Sequence, residues 1–306
     1  MTQSIQQPVS PENGREFDFK PELITLSKTW TPKAEKGRMR RMILVWLALA
    51  VIIVFFMLPI AYLVSTSFKS PVDVVEGNFL PEAVEAENWV VAFTRIPLLS
   101  FVLNSIQAAA LSVFVTLGVA VMATYAMLKL EVGKSFLPDM ILASYVAPPI
   151  IALIPLFVLM QSLGLLNSTA GMVLIYGLMN VPVAFWLMRS YILQVPKALD
   201  EAAWLDGASY FRTLLTVTVP LLYPAMIATG LICFILAFNE LLFAQAMTFD
   251  DNSRTLTVGI SLFQGERRVN FGHMAAASSA GIIPVYFIAL FCQKWLIGGL
   301  TQGGVK

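Results

Sequence analysis

Of the 306 residues, 58% are hydrophobic and 13% charged, with 20 Lys+Arg against 19 Asp+Glu. A soluble domain carries about 25% charged residues, and a net charge of +1 supplies no field for steering polyanions. The composition excludes a soluble globular enzyme, a disordered chain and a nucleic-acid-binding protein with a basic face. It indicates an all-α, polytopic membrane protein.

In chain order, 1–40 mixes both charges with few large apolar side chains and reads as a solvated tail. A first transmembrane helix is expected over 41–67, around the 23 uncharged residues Met42–Val64. That run is longer than a signal-peptide core and no small-residue cleavage site follows, so removal is not expected. An acidic outer loop, 68–99, carries Asp73, Glu76, Glu82, Glu85 and Glu87. Ser100–Leu128 is the second span. Met140–Met188 holds 49 residues without a charge; as one helix it would reach roughly 73 Å, more than twice the bilayer core. It is therefore expected to fold as two spans, turning at Gly164, Asn167 and Ser168. Its prolines (Pro148, Pro149, Pro155 and Pro182) fit membrane helices, in which neighbours satisfy freed carbonyls. A fifth span lies within Leu214–Asn239 and a sixth at Met274–Gln293. Five helices thus form a core over 100–296, and 297–306 is a C-terminal tail.

With the N-terminus inside, the inner flanks hold Lys28, Lys33, Lys36, Arg38, Arg40, Arg41, Lys129, Lys134, Arg189, Lys197, Arg212, Lys294 and Lys306. The outer loops hold Lys69, Arg95, Arg254, Arg267 and Arg268. This bias places both termini in the cytoplasm.

The loop 196–220 is expected to form two short helices meeting at Gly207. Pro196 suits a helix start, and Asp200 and Glu201 lie near its positive end. Leu199, Ala202 and Ala203 suggest one face of small residues; Phe211, Leu214 and Leu215 suggest the apolar face of the second helix. The spacing is specific: Glu201-Ala202-Ala203, three residues, Gly207, nine residues, then Val217-Thr218-Val219-Pro220.

This pattern resembles the EAA loop of ATP-binding-cassette importer permeases. Flanking segments resemble the carbohydrate branch, to which the smaller maltose permease belongs: Leu80-Pro81 with Glu87-Asn88-Trp89 and Phe93, Asn104-Ser105, Tyr125-Ala126, Ile154–Phe157, Leu163–Ser168, Phe238-Asn239-Glu240 and the ending Gly299–Lys306. The match covers Met42–Lys306. The resemblance implies the type I importer permease fold in a bacterial inner membrane. It further implies a second permease subunit, two ATPase subunits that bind ATP and Mg, and an extracytoplasmic sugar-binding protein. Glu201, Ala202, Ala203, Leu205, Asp206, Gly207 and Ala208 would then couple this chain to an ATPase subunit. In the outer loop from about Thr248 to His273, Leu262, Phe263, Gln264 and Gly265 would meet the binding protein.

Asn104, Gln107, Asn180, Asn239 and Glu240 are candidates for a polar pathway or gate, as are Ser278 and Ser279; interhelical bonding is the simpler reading of the others, and a structural helix-end role that of Asn239 and Glu240. No catalytic site, cofactor or metal site is expected in this chain. His273 is the only histidine, and Cys233 and Cys292 sit in apolar runs. Gly133-Lys134-Ser135 ends like a phosphate-binding loop, but Leu128 stands where its first glycine is required. The same importer class moving a non-sugar solute, an ion-coupled secondary transporter and an intramembrane enzyme are the alternatives. The secondary transporter should carry ionisable groups inside its spans, and the enzyme needs a catalytic constellation.

Overall fold

The computed structural model describes residues 32–133, 135–265 and 269–302, with side chains from Arg38 to Gln293 within those ranges. Most of the expected N-terminal tail, Lys134 and residues 303–306 lie outside them. Among the described residues the secondary structure is helical, apart from one isolated bridge between Gln264 and Val269.

The chain divides at Met57 into two compact units. The first contains most of α1 (Pro32–Thr66), which begins inside the expected tail because Lys33–Arg41 is rich in good helix formers. Every described side chain from Arg38 to Met57 is exposed, Trp46, Phe55 and Phe56 included. An apolar helix with no buried face requires a hydrocarbon solvent or a partner.

In the second unit the outer loop contains two helices, α2 (Pro71–Glu76) and α3 (Glu87–Thr94). Ser70 and Asp73 close a reciprocal capping box around α2, and Gly77, at φ 75°, ends it. Trp89 Nε1 donates to Ser67 Oγ at 3.0 Å, and its ring lies between Phe68 and Phe93. Asn88 donates to the Lys69 carbonyl at 2.9 Å.

α4 (Leu98–Leu128) is the central helix. It packs against α7 (Thr169–Met179), α8 (Val181–Ile192) and α11 (Val219–Phe238), while α11 also packs on α14 (Phe271–Gln302). Ala108, Ser112, Thr116, Ala120 and Thr124 recur every fourth residue of α4 and are all buried. Such a row of small side chains permits the close backbone approach that replaces a hydrophobic driving force between helices in lipid. At the α4–α7 contact Gly177 lies against Val115, and Thr116 Oγ1 donates to the Gly177 carbonyl at 2.8 Å.

The 49 uncharged residues do form two span-length pieces, but neither is the continuous helix expected. α5 (Leu137–Val146) and α6 (Pro149–Ser162) meet at 98°, and α7 and α8 at 48°. Ala147, held extended ahead of Pro148-Pro149, interrupts the first pair. The second breaks at Asn180, two residues before Pro182. Four described helices are long and apolar enough to cross a membrane, and six spans result when each bent pair counts as one. α14 continues to Gln302, through the start of the expected C-terminal tail.

The remaining short helices are α9 (Lys197–Leu205), α10 (Tyr210–Thr213), α12 (Leu242–Met247) and α13 (Leu256–Ser261). A π-helical turn, Leu214–Thr218, joins α10 to α11. Cys233 and Cys292 are free thiols, Cys233 fully buried.

Gly259 of α13 meets the ring of the fully buried Phe101, so any Cβ there displaces that ring; Gly118 of α4 faces open space. Gly259→Ala should lower the melting temperature of the purified protein by several degrees, whereas Gly118→Ala should leave it unchanged or raise it.

Candidate functional site

The loop 196–220 does form two short helices around Gly207. α9 starts after Pro196 and closes with a Schellman motif: Ala208 N–H donates to the Ala203 carbonyl at 2.9 Å and Gly207 N–H to the Trp204 carbonyl at 3.0 Å. Gly207 adopts φ 84°, where a side chain is strained. The interval between Ala203 and Gly207 is therefore a geometric requirement of this helix ending. Ser209 then caps α10, its Oγ accepting from Arg212 N–H.

The two sides of α9 differ sharply in exposure. The inward residues of α9 are Asp200, Ala203 and Trp204; the outward ones are Ala198, Glu201, Ala202 and Leu205, the last 89% exposed. Leu199 and Ala202, expected with Ala203 on one face of small residues, are exposed and Ala203 is half-buried, while Asp200 fixes the inward side. Of Phe211, Leu214 and Leu215, only Leu214 is buried; the other two are exposed. Asp206 and Gly207 are exposed and Ala208 is half-buried.

Asp200, 1% exposed, sits 2.8 Å from Lys129 Nζ at the end of α4. Lys129 also donates to the Val195 carbonyl at 2.7 Å, and Thr218 Oγ1 of the π turn donates to Asp200 Oδ1 at 3.0 Å. Breaking a buried pair by removing one partner costs about 3–5 kcal/mol, because the other charge is left uncompensated. Sequence reasoning assigned Asp200 only to the helix dipole. A lysine ending one span opposite an aspartate in the next inner-flank loop was the available signal.

Among the described residues no hydrogen bond joins any two of the candidate pathway residues. Asn104 Nδ2 donates to the Asn252 and Arg254 carbonyls at 2.9 and 3.0 Å. Its neighbour Ser105 accepts from Leu256 N–H at 2.8 Å. Asn180 and Asn239 each bond a carbonyl of the preceding helical turn. Glu240 accepts from Phe243 and Ala244 N–H at 3.0 and 3.2 Å, and its carbonyl accepts from Thr257. Gln107 is exposed, Ser278 half-buried and Ser279 buried.

The segment 249–253 of the expected outer loop is organised by Asn167. Its amide donates to Asp250 Oδ2 at 2.8 Å, and its oxygen accepts from Phe249 N–H at 2.7 Å and from Ser253 Oγ. Leu262, Gln264 and Gly265 are exposed, but Phe263 is buried in the core, with Arg95 over its ring and His273 at its edge. Phe263 therefore offers no surface to a partner.

The family model for the inner membrane component of binding-protein-dependent transport systems matches residues 134–301, more than half of the chain. The chain belongs to this family. A trehalose/maltose transport system permease from Thermococcus litoralis is 38% identical over 209 residues, covering 68% of this chain and 75% of that protein. A sulfoquinovosyl glycerol transport system permease from Agrobacterium fabrum is 32% identical over 264 residues, covering 85% and 93%. The structure of a bacterial ABC transporter that imports the acidic polysaccharide alginate contains a chain with the same fold. Its TM-score is 0.65 at 23% identity, over 87% of this permease and 98% of that chain.

The hydrogen bond from Asn167 holds the Asp250 carboxyl below its usual range, with further donors from Asn252 and Ser253. A depressed carboxylate contributes stability above its unfolded value, about 3.9, and loses it as pH falls through the folded value. Amide-exchange protection of 249–253 should thus be level from about pH 5 to 8 and fall below about pH 4. Asn167→Ala should remove both the protection and its acid dependence.

Proposed function

We propose that this permease is one transmembrane subunit of an ATP-driven, binding-protein-dependent importer for a carbohydrate or glycoside. A second permease, two ATPase subunits carrying ATP and Mg, and an extracytoplasmic sugar-binding protein complete it. Both termini face the cytoplasm of a bacterial inner membrane, and the chain carries no catalytic site or cofactor of its own. The names of the relatives, which transport trehalose, maltose or sulfoquinovosyl glycerol, support the substrate class.

The observation that carries the coupling role is the outward face of α9. Ala198, Glu201, Ala202 and Leu205 project from a helix whose opposite side is fixed by a buried ion pair. A nearly fully exposed leucine beside a carboxylate and two alanines is a surface suited to seating in a protein cleft. Inverting a 1:99 population of inward- and outward-facing states takes about 5.5 kcal/mol of differential binding. A rigidly closed helix can transmit that work where a loose linker cannot. On the outer side, the exposed Leu262, Gln264 and Gly265 are the surface offered to the binding protein.

Gly207→Pro, incompatible with a φ of 84°, and Glu201→Lys should each abolish ATP-dependent uptake while all subunits are still made. Wild-type uptake by either variant contradicts the coupling role. The cognate binding protein, screened by calorimetry against maltose, trehalose and a panel of amino acids and polyamines, should bind a sugar. Gln264→Arg should reduce stimulation of ATP hydrolysis by that binding protein several-fold without changing the basal rate.

A further inference from the structure

The ion pair at the root of α9 joins parts of the chain far apart in sequence. Lys129 is the residue that ends α4, Val195 precedes α9, Asp200 lies in the first turn of α9, and Thr218 closes the π turn from which α11 starts. Three side chains from these parts, all at most 9% exposed, meet at the carboxylate: Lys129 Nζ lies 2.8 Å from Asp200 Oδ2, and Thr218 Oγ1 lies 3.0 Å from Asp200 Oδ1. Lys129 spends a second proton on the Val195 carbonyl at 2.7 Å. Both carboxylate oxygens are thereby engaged, one by α4 and one by the segment leading into α11.

Besides this cluster, α9 is tied by an exposed ion pair, Lys197 to Glu131 at 3.7 Å, and by the Trp204 ring edge-on to Tyr210, with an exposed glycine at one end and Pro196 at the other. Gly207 can rotate, so the covalent connection alone does not make α9 move with the spans. The π turn adds a second point of adjustment. Its Val219 N–H bonds the carbonyl five residues back, at Leu214, just before Pro220, which has no donor to give. Thr218 sits in that turn, so the Asp200–Thr218 hydrogen bond fixes the register of the wide turn against α9.

We infer that Lys129 and Thr218 are positioning residues that hold α9 to α4 and α11 as one body, so that displacement of α9 becomes displacement of both spans. The inference rests on the coupling role proposed for α9 and assigns the internal half of that linkage. Lys129 and Thr218 touch neither nucleotide nor solute; they act through Asp200. A merely stabilising ion pair would alter thermal stability without altering how α9 follows the spans.

The test is a distance measurement on the complete complex with its partner permease and ATPase subunits in lipid nanodiscs. Cys233 and Cys292 are replaced by Ala, and spin labels are placed at Leu199→Cys on α9 and Tyr223→Cys on α11, both exposed. The unaltered cluster should give one narrow label–label distance, the same without nucleotide and after trapping with ATP and vanadate. Lys129→Met combined with Asp200→Leu removes both charges and avoids a stranded one. It should at least double the width of the distribution in the trapped state while ATP hydrolysis stays within about threefold of the starting rate. Lys129→Arg, which keeps the charge and its donors, should retain the narrow distance. If the double variant does not assemble, Thr218→Val decides the matter, with broadening expected.

A narrow, nucleotide-independent distance in the double variant, or in Thr218→Val where the double variant fails to assemble, overturns the inference. Should the variants broaden the distance although the starting complex shows no ATP-dependent movement of its spans, the coupling role falls and the clamp stands.

Discussion

A carboxylate with 1% of its surface exposed cannot be left without a counter-charge, and the position of Asp200 therefore dictates much of the inner end of this permease. Lys129 must end α4 within reach of it, the chain at Val195 must offer a carbonyl to the remaining lysine proton, and Thr218 must turn its hydroxyl inward. The π turn provides the rotation that this last contact needs. With Asp200 fixed inward, the pitch of α9 leaves Glu201, Ala202 and Leu205 facing out. One buried charge thus sets which side of α9 faces outward.

A second constraint acts over the rest of the molecule. In hydrocarbon each backbone donor and acceptor must be satisfied within the protein, which is why the chain is helical wherever it is long and apolar. The same rule explains how the polar side chains of the core are used. Thr116 bonds the Gly177 carbonyl across the α4–α7 interface, and Ser105 receives the Leu256 N–H. At the outer end, Asn104, Asn167 and Glu240 are spent on loop and helix ends.

Uncharged stretches of sequence revealed the spans, and the glycine interval revealed the ending of α9, because both are local properties of chain length and backbone geometry. What escaped were arrangements set by tertiary contact. The bends at Ala147–Pro149 and Asn180 depend on whether neighbours can satisfy freed carbonyls, and prolines alone leave that open. The inward side of α9 was missed because Asp200 counts as polar on any hydrophobicity pattern, yet it is the most buried residue of that helix. Asn167 looked like a turn residue; its role as the anchor of 249–253 requires a partner 82 or more positions away. The small-residue row of α4 was present in the sequence at four-residue spacing and is visible once packing is considered.

The account stands on the outward face of α9 being covered by an ATPase subunit. A photo-crosslinking amino acid at position 205, in the purified complete transporter, measures this directly. The account predicts a crosslink to the ATPase subunit with and without nucleotide, and none from the same probe at the exposed Tyr223. A probe at 205 that captures only detergent, lipid or water in every nucleotide condition would contradict it.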